Sequence, residues 1–100
     1  MKKIQKLVDQ MCEEIEGAKE YTECALEFKA NGNTAWASKY KGMAEDELKH
    51  AMIIHDRATE EIATLSKVYT PPVEMEEKWS TSHKTYVEKV AWVKQMIGML

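Results

Sequence analysis

Apolar residues recur every three or four positions along almost the whole chain, and the spacing fails in only two places. A first stripe runs Ile4, Leu7, Met11, Glu14, Ala18, Tyr21, Ala25, Phe28. A second runs Trp36, Tyr40, Met43, Glu47, Ala51, Ile54, Ala58, Ile62, Leu65, and a third Trp79, His83, Tyr86, Val90, Val93, Ile97. This is the period of one helix face. Asn31-Gly32-Asn33 and Thr70-Pro71-Pro72 are the interruptions, the first a turn signal and the second a pair of residues that cannot continue a helix. The pattern predicts three helices, over about 2–29, 34–67 and 74–99, with Thr34 capping the second. Four glycines and two prolines in 100 residues leave little to break them further. The fold class is all-α, a single domain over residues 1–100. The short Asn-Gly-Asn link forces the first two helices into a long antiparallel hairpin. The proline link either returns the third helix along the second or splays it away.

Several classes of function fall away. The formal net charge is −3, which argues against a nucleic-acid backbone as partner. No stretch approaches the roughly 20 apolar residues a bilayer span needs. Gln5, Lys6, Asp9 and Gln10 interrupt any apolar run of signal-peptide length near the start, so a cytoplasmic location is expected. Cys12 and Cys24, placed on one helix, lie about 18 Å apart along its axis and cannot pair with each other. With no CxxC, they read as small helix residues. Charge is unevenly spread. Seven acids against one lysine occupy residues 9–27, and four lysines against one glutamate occupy residues 78–94, so the first and third helices are expected to attract.

The first two stripes each contain a carboxylate that does not belong in an apolar seam. Glu14 lies between Met11 and Ala18, and Glu47 between Met43 and Ala51. His50 follows Glu47 by three positions, one turn along the same face, giving an ExxH motif. Counted from Gly32, Glu14 lies 18 residues before it, Glu47 15 after and His50 18 after. In an antiparallel pair the three come level. Two carboxylates brought together repel and are costly to desolvate unless a cation or a proton compensates. Neither stripe supplies a Lys or Arg, whereas carboxylates and imidazole on rigid helices suit iron, manganese or zinc. The competing reading is a polar residue that sets helix register.

A helical Glu, a Tyr seven residues later and ExxH on the next helix resemble the ferritin-like di-iron carboxylate proteins. The stretches EEIEGAKEY and MAEDELKHA look most like rubrerythrin and ferritin relatives, over roughly residues 8–65. Full members draw one Glu from each of two helices and an ExxH from each of two others. This chain holds one such set. The resemblance therefore implies a ferritin-like four-helix bundle completed by dimerisation, as a homodimer or a ring of dimers. Half-length encapsulated ferritins are similar in building their ferroxidase centre across a dimer interface. By that resemblance Glu47 bridges two irons per dimer, Glu14 and His50 are terminal ligands, and Tyr21 lies near as a hydrogen-bonding or redox-active neighbour. The long third helix departs from those proteins, and no tail of the kind that targets cargo to a protein shell is recognisable.

A third helix folding straight back from Pro71 places Gln95 and Trp92 level with Glu47 and His50, and both are poor ligands for iron. A splayed one brings His83 or Glu76 towards a neighbour's site; a returning one makes His83 a core or interface histidine. Trp79, Tyr86 and Trp92 read as core or interface anchors. His55, about 140° round the helix from His50, reads as a surface residue. The expected function is a ferroxidase, a ferritin-like protein oxidising Fe(II) with dioxygen or peroxide. The alternative is a non-enzymatic helical assembly module whose polar seam residues hold no metal. A rubrerythrin-type peroxidase adds a four-cysteine iron module, for which two cysteines are too few.

Overall fold

A computed structural model describes residues 2–68 and 70–100. It contains α1 (Lys2–Ala30), α2 (Thr34–Ser66) and α3 (Val73–Met99), each within about a residue of the spacing-based expectation. The helices form a rod 55 Å long and 17–18 Å across. Among the described residues no helix is long and apolar enough to cross a membrane.

The hairpin turn follows from its three residues. Gly32 adopts φ +78°, a left-handed conformation that side chains with a Cβ resist. That geometry lets Asn33 N–H donate to the Phe28 carbonyl at 2.9 Å and Gly32 N–H to that of Lys29 at 3.0 Å, satisfying carbonyls left open at the end of α1. Asn33, and not Thr34 as expected, caps α2: its side chain accepts the Trp36 N–H at 3.2 Å. Thr34 is already helical, and the residue before it has the non-helical backbone a cap requires. At the second link Pro72 precedes α3, its carbonyl accepting from Met75 and Glu76 at 3.1 and 3.2 Å. Glu74 and Glu76 place negative charge on the first turn, where the helix dipole favours it.

The third helix returns along the hairpin. It runs antiparallel to α2 and parallel to α1, and packs chiefly against α1. The charge asymmetry of the sequence draws the two together: Lys78 bonds Asp9 at 3.0 Å, Lys89 bonds Glu16, and at the far end Lys29 donates to the Met99 carbonyl. The core beneath comprises Met11, Ile15, Ala18, Leu48, Ala51, Tyr86 and Val93, with Trp79, Trp92 and Cys12 partly buried against it.

This docking shifts the buried stripe from where the spacing put it. Val8, Ile15 and Thr22 are buried on α1, and Ala37, Ala44 and Leu48 on α2. Glu14, Tyr21, Phe28, Trp36, Met43 and Glu47 lie at the flank of the hairpin interface or outside it. Helix α3 covers one side of the hairpin seam and so pulls the buried zone towards that side. The carboxylates expected inside the seam therefore stand at its open edge. Thr22, fully buried, satisfies its hydroxyl by donating to the Ala18 carbonyl at 2.7 Å.

Candidate metal centre

Glu14 is two residues from Glu16, about 200° round α1. Since Glu16 faces Lys89 of α3, Glu14 is turned to the side of the hairpin that α3 leaves open. Glu47 and His50 share that side of α2. One oxygen of Glu14, one of Glu47 and a ring nitrogen of His50 all lie within 4.8 Å of one another. His50 Nδ1 is 3.5 Å from Glu47 Oε1 and 3.8 Å from Glu14 Oε2. The side chains of Glu14, Glu47 and His50 are 31, 26 and 54% exposed, so the cluster is a surface half-cup, not a closed cage.

Its electrostatics are those of a site short of positive charge. The hydrogen bond to Glu47 raises the Glu14 carboxyl above its usual range of about 4.5, helped by partial burial and by repulsion from Glu47. His50 works in the opposite direction without cancelling this. Among the described residues no Lys or Arg forms an ion pair with either Glu14 or Glu47.

Gly17 explains how Glu47 comes so close to α1. A Cβ at position 17 would meet Glu47 Oε2 at 3.0 Å, so the bare glycine leaves the recess into which the carboxylate fits. Apolar spacing does not point to this residue; the signal in the sequence is a glycine inside a long helix, one turn from a misplaced Glu. Two oxygen donors and one imidazole, mutually in range and with one oxygen seated in a glycine recess, suit a borderline divalent metal.

Tyr21 lies two turns along α1 from Glu14, half-buried on the same side. Its ring packs against Tyr40 at 6.1 Å, within an aromatic group that continues through Phe28 to Trp36. Trp36 and Met43 are 49 and 41% exposed, leaving an apolar strip beside the cluster uncovered. Helix α3 adds nothing to the three-residue cluster: Trp92 packs on the core, and His83 meets His55 on the opposite flank. His55, expected at the surface, is instead half-buried against Tyr86 and His83, because α3 docks over it.

The rubrerythrin family model matches residues 6–97. The chain belongs to the rubrerythrin family. Comparisons with curated proteins and with solved structures found no match. Rubrerythrin relatives are ferritin-like di-iron carboxylate proteins, and the Glu14, Glu47 and His50 cluster is the part of this rubrerythrin-family chain whose donors fit that description.

Proposed function

We propose that the protein is a ferroxidase whose di-iron site is completed by a second copy of the chain. The observation that carries this reading is the convergence of Glu14, Glu47 and His50 on the flank that α3 leaves open. One copy supplies half the donors of a ferritin-like site, and two copies related by a two-fold axis supply the full set of four carboxylates and two imidazoles. Iron(II) is the substrate, losing electrons to dioxygen or peroxide. The metal supplies that redox chemistry when bound; the chain fixes where it happens. Glu47, seated against Gly17, would hold the metal together with Glu14 and His50. The Glu14 and Glu47 carboxylates would supply the negative charge that draws Fe(II) to the site. Trp36, Met43 and the aromatic rings around Tyr40 would be the apolar contact with the second copy, desolvating the cluster. Manganese or zinc fit the same donors, and metal supply decides among them.

The test is aerobic Fe(II) oxidation followed by absorbance, alongside sedimentation of the same samples. Glu47→Ala and His50→Ala are expected to lose rapid oxidation while retaining helical circular dichroism. Wild-type oxidation rates in both variants would overturn the assignment. The assembly-only reading, suggested by the uncovered Trp36 and Met43, predicts instead dimers with no stoichiometric metal and a melting temperature indifferent to chelators.

A further inference from the structure

We propose that His55 of α2 and His83 of α3 form a second metal site, which takes one divalent transition ion such as Zn(II), Ni(II) or Cu(II) between their Nε2 atoms. The two nitrogens face each other at 3.0 Å, with ring centroids 5.0 Å apart. Two imidazole nitrogens sharing one zinc at about 2.0–2.1 Å, at an angle near tetrahedral, stand about 3.0–3.4 Å apart, so the pair is spaced for a shared ion with little movement.

Three further features make this a built arrangement. Asp56 Oδ1 is 3.1 Å from His55 Nδ1. A carboxylate there holds the proton on Nδ1 and leaves the Nε2 lone pair free, the carboxylate–histidine–metal relation that orients ligands in known sites. The His55 ring lies on Tyr86 at 4.7 Å with planes 7° apart, and also packs near Trp79 at 6.1 Å. Trp79 meets the His83 ring at 5.1 Å. Both imidazoles are thus held by aromatic faces before any ion arrives, and little side-chain entropy is lost on binding. Finally, the site is independent of the carboxylate centre. His55 is about 140° round α2 from His50, on the flank covered by α3. Two protein ligands leave coordination positions for water or a further donor. An ion held by α2 and α3 together would tie the third helix to a hairpin partner that it otherwise touches sparingly.

A direct N–H···N bond between two neutral rings gives the same spacing without metal, so the experiment must separate the two. The chain has three histidines. In the full-length variant Glu14→Gln/Glu47→Gln/His50→Gln the carboxylate centre is silenced and His55 and His83 are the remaining imidazoles. Zn(II) alone is titrated into this variant by calorimetry, and the imidazole nitrogens are followed by 15N NMR. The expected result is one Zn(II) per chain, metal-dependent shifts at both Nε2 atoms and a raised melting temperature. His83→Gln and, separately, His55→Gln in the same background should weaken binding at least about tenfold, with circular dichroism of the metal-free protein verifying the fold. Asp56→Ala should weaken it about tenfold and move the His55 proton between its two nitrogens in the NMR spectrum. Absence of Zn(II) binding in the silenced variant, Nε2 resonances that ignore Zn(II), or affinity indifferent to both histidine substitutions would overturn the proposal. None of these outcomes depends on ferroxidase activity, so the two proposals fail separately.

Discussion

Gly17→Ala separates folding from metal binding in opposite directions. In a helix interior, replacing Gly by Ala stabilises by about 0.5–1 kcal/mol, because the unfolded chain has fewer conformations to lose. Against this stands a contact: the new methyl carbon would lie 3.0 Å from Glu47 Oε2, with Glu47 Cδ and Cγ at 3.7 and 3.8 Å. Carbon–oxygen contacts ordinarily begin near about 3.3 Å, so one partner must give by a few tenths of an ångström. The partner that gives is Glu47, because its carboxylate ends a flexible side chain 26% exposed, while position 17 is fixed by the helix. The metal-free protein should therefore melt about 2–8 °C higher than the parent. The site should suffer, since ligand positions tolerate about 0.5 Å of error and a carboxylate pushed from its recess exceeds or approaches that. Metal affinity is expected to fall about 10–100-fold. Thermal melts in chelator and calorimetric titration with Fe(II) under anaerobic conditions, or with Co(II), read the two effects. A lowered metal-free melting temperature, or titration indistinguishable from the parent, would refute the reasoning that Gly17 seats Glu47.

Glu14→Gln removes a carboxyl whose folded pKa is raised by Glu47, chiefly through their hydrogen bond. The folded state then binds more protons than the unfolded one, so metal-free stability falls as pH rises above about 4.5. Urea melts should show the variant more stable than the parent at pH 7 by a few tenths to about 1 kcal/mol, with a flatter pH dependence. Lys89→Ala tests α3 docking: the Lys89 ammonium holds Glu16 below the usual carboxylate range, and at 30 and 42% exposure the pair contributes at most about 1 kcal/mol. That contribution is complete above pH 4.5 and is lost as pH falls through the depressed Glu16 value, so parent and variant melts should converge in acid. Met11→Ala empties a fully buried position in the core shared by all three helices. It should cost about 2–5 kcal/mol, a drop in melting temperature of roughly 10 °C or more.

The helices were legible because their signals are local. A three-and-four apolar spacing, an Asn-Gly-Asn turn and a double proline each act within a few residues, and the bounds of α1, α2 and α3 follow them. The level placement of Glu14, Glu47 and His50 was legible for a related reason: an antiparallel hairpin with a short turn has one register, and counting from Gly32 recovers it. What spacing could not supply is the azimuth of the seam. In an amphipathic helix with Ile4, Leu7, Val8, Met11 and Ile15 apolar, several neighbouring stripes look equally good, and the one that is buried depends on where α3 lands. That is a property of three helices together. Spacing alone sets Glu14 and Glu47 in the seam and His55 at the surface, whereas α3 covers His55. The register of α3 differs by one turn for a like reason: a reversal centred on Pro71 would set His83 opposite Thr59, but the link between Ser66 and Val73 is centred earlier, and His83 meets His55. The charge asymmetry between the first and third helices carried the missing information, since the Asp9–Lys78 and Glu16–Lys89 pairs fix which flank α3 occupies.

That asymmetry bears on the proposed assembly. With α3 bound to the acidic flank of α1, the hairpin keeps one open flank, and it carries Glu14, Glu47 and His50 together with exposed Trp36 and Met43. Apolar burial across this flank would favour pairing of two copies, but it would also press four carboxylates into a dry interface, where desolvation and repulsion oppose it. A divalent cation would remove the opposition, because it converts repelling oxygens into ligands. Anything that binds the paired state and not the single chain stabilises pairing by mass action. If two copies complete the site as proposed, metal occupancy and dimerisation would be one linked equilibrium, and by reciprocity each would strengthen the other. Gly17 bears on the same proposal: relative to alanine it weakens α1 by up to about 1 kcal/mol, at the position where a Cβ would meet Glu47 Oε2 at 3.0 Å.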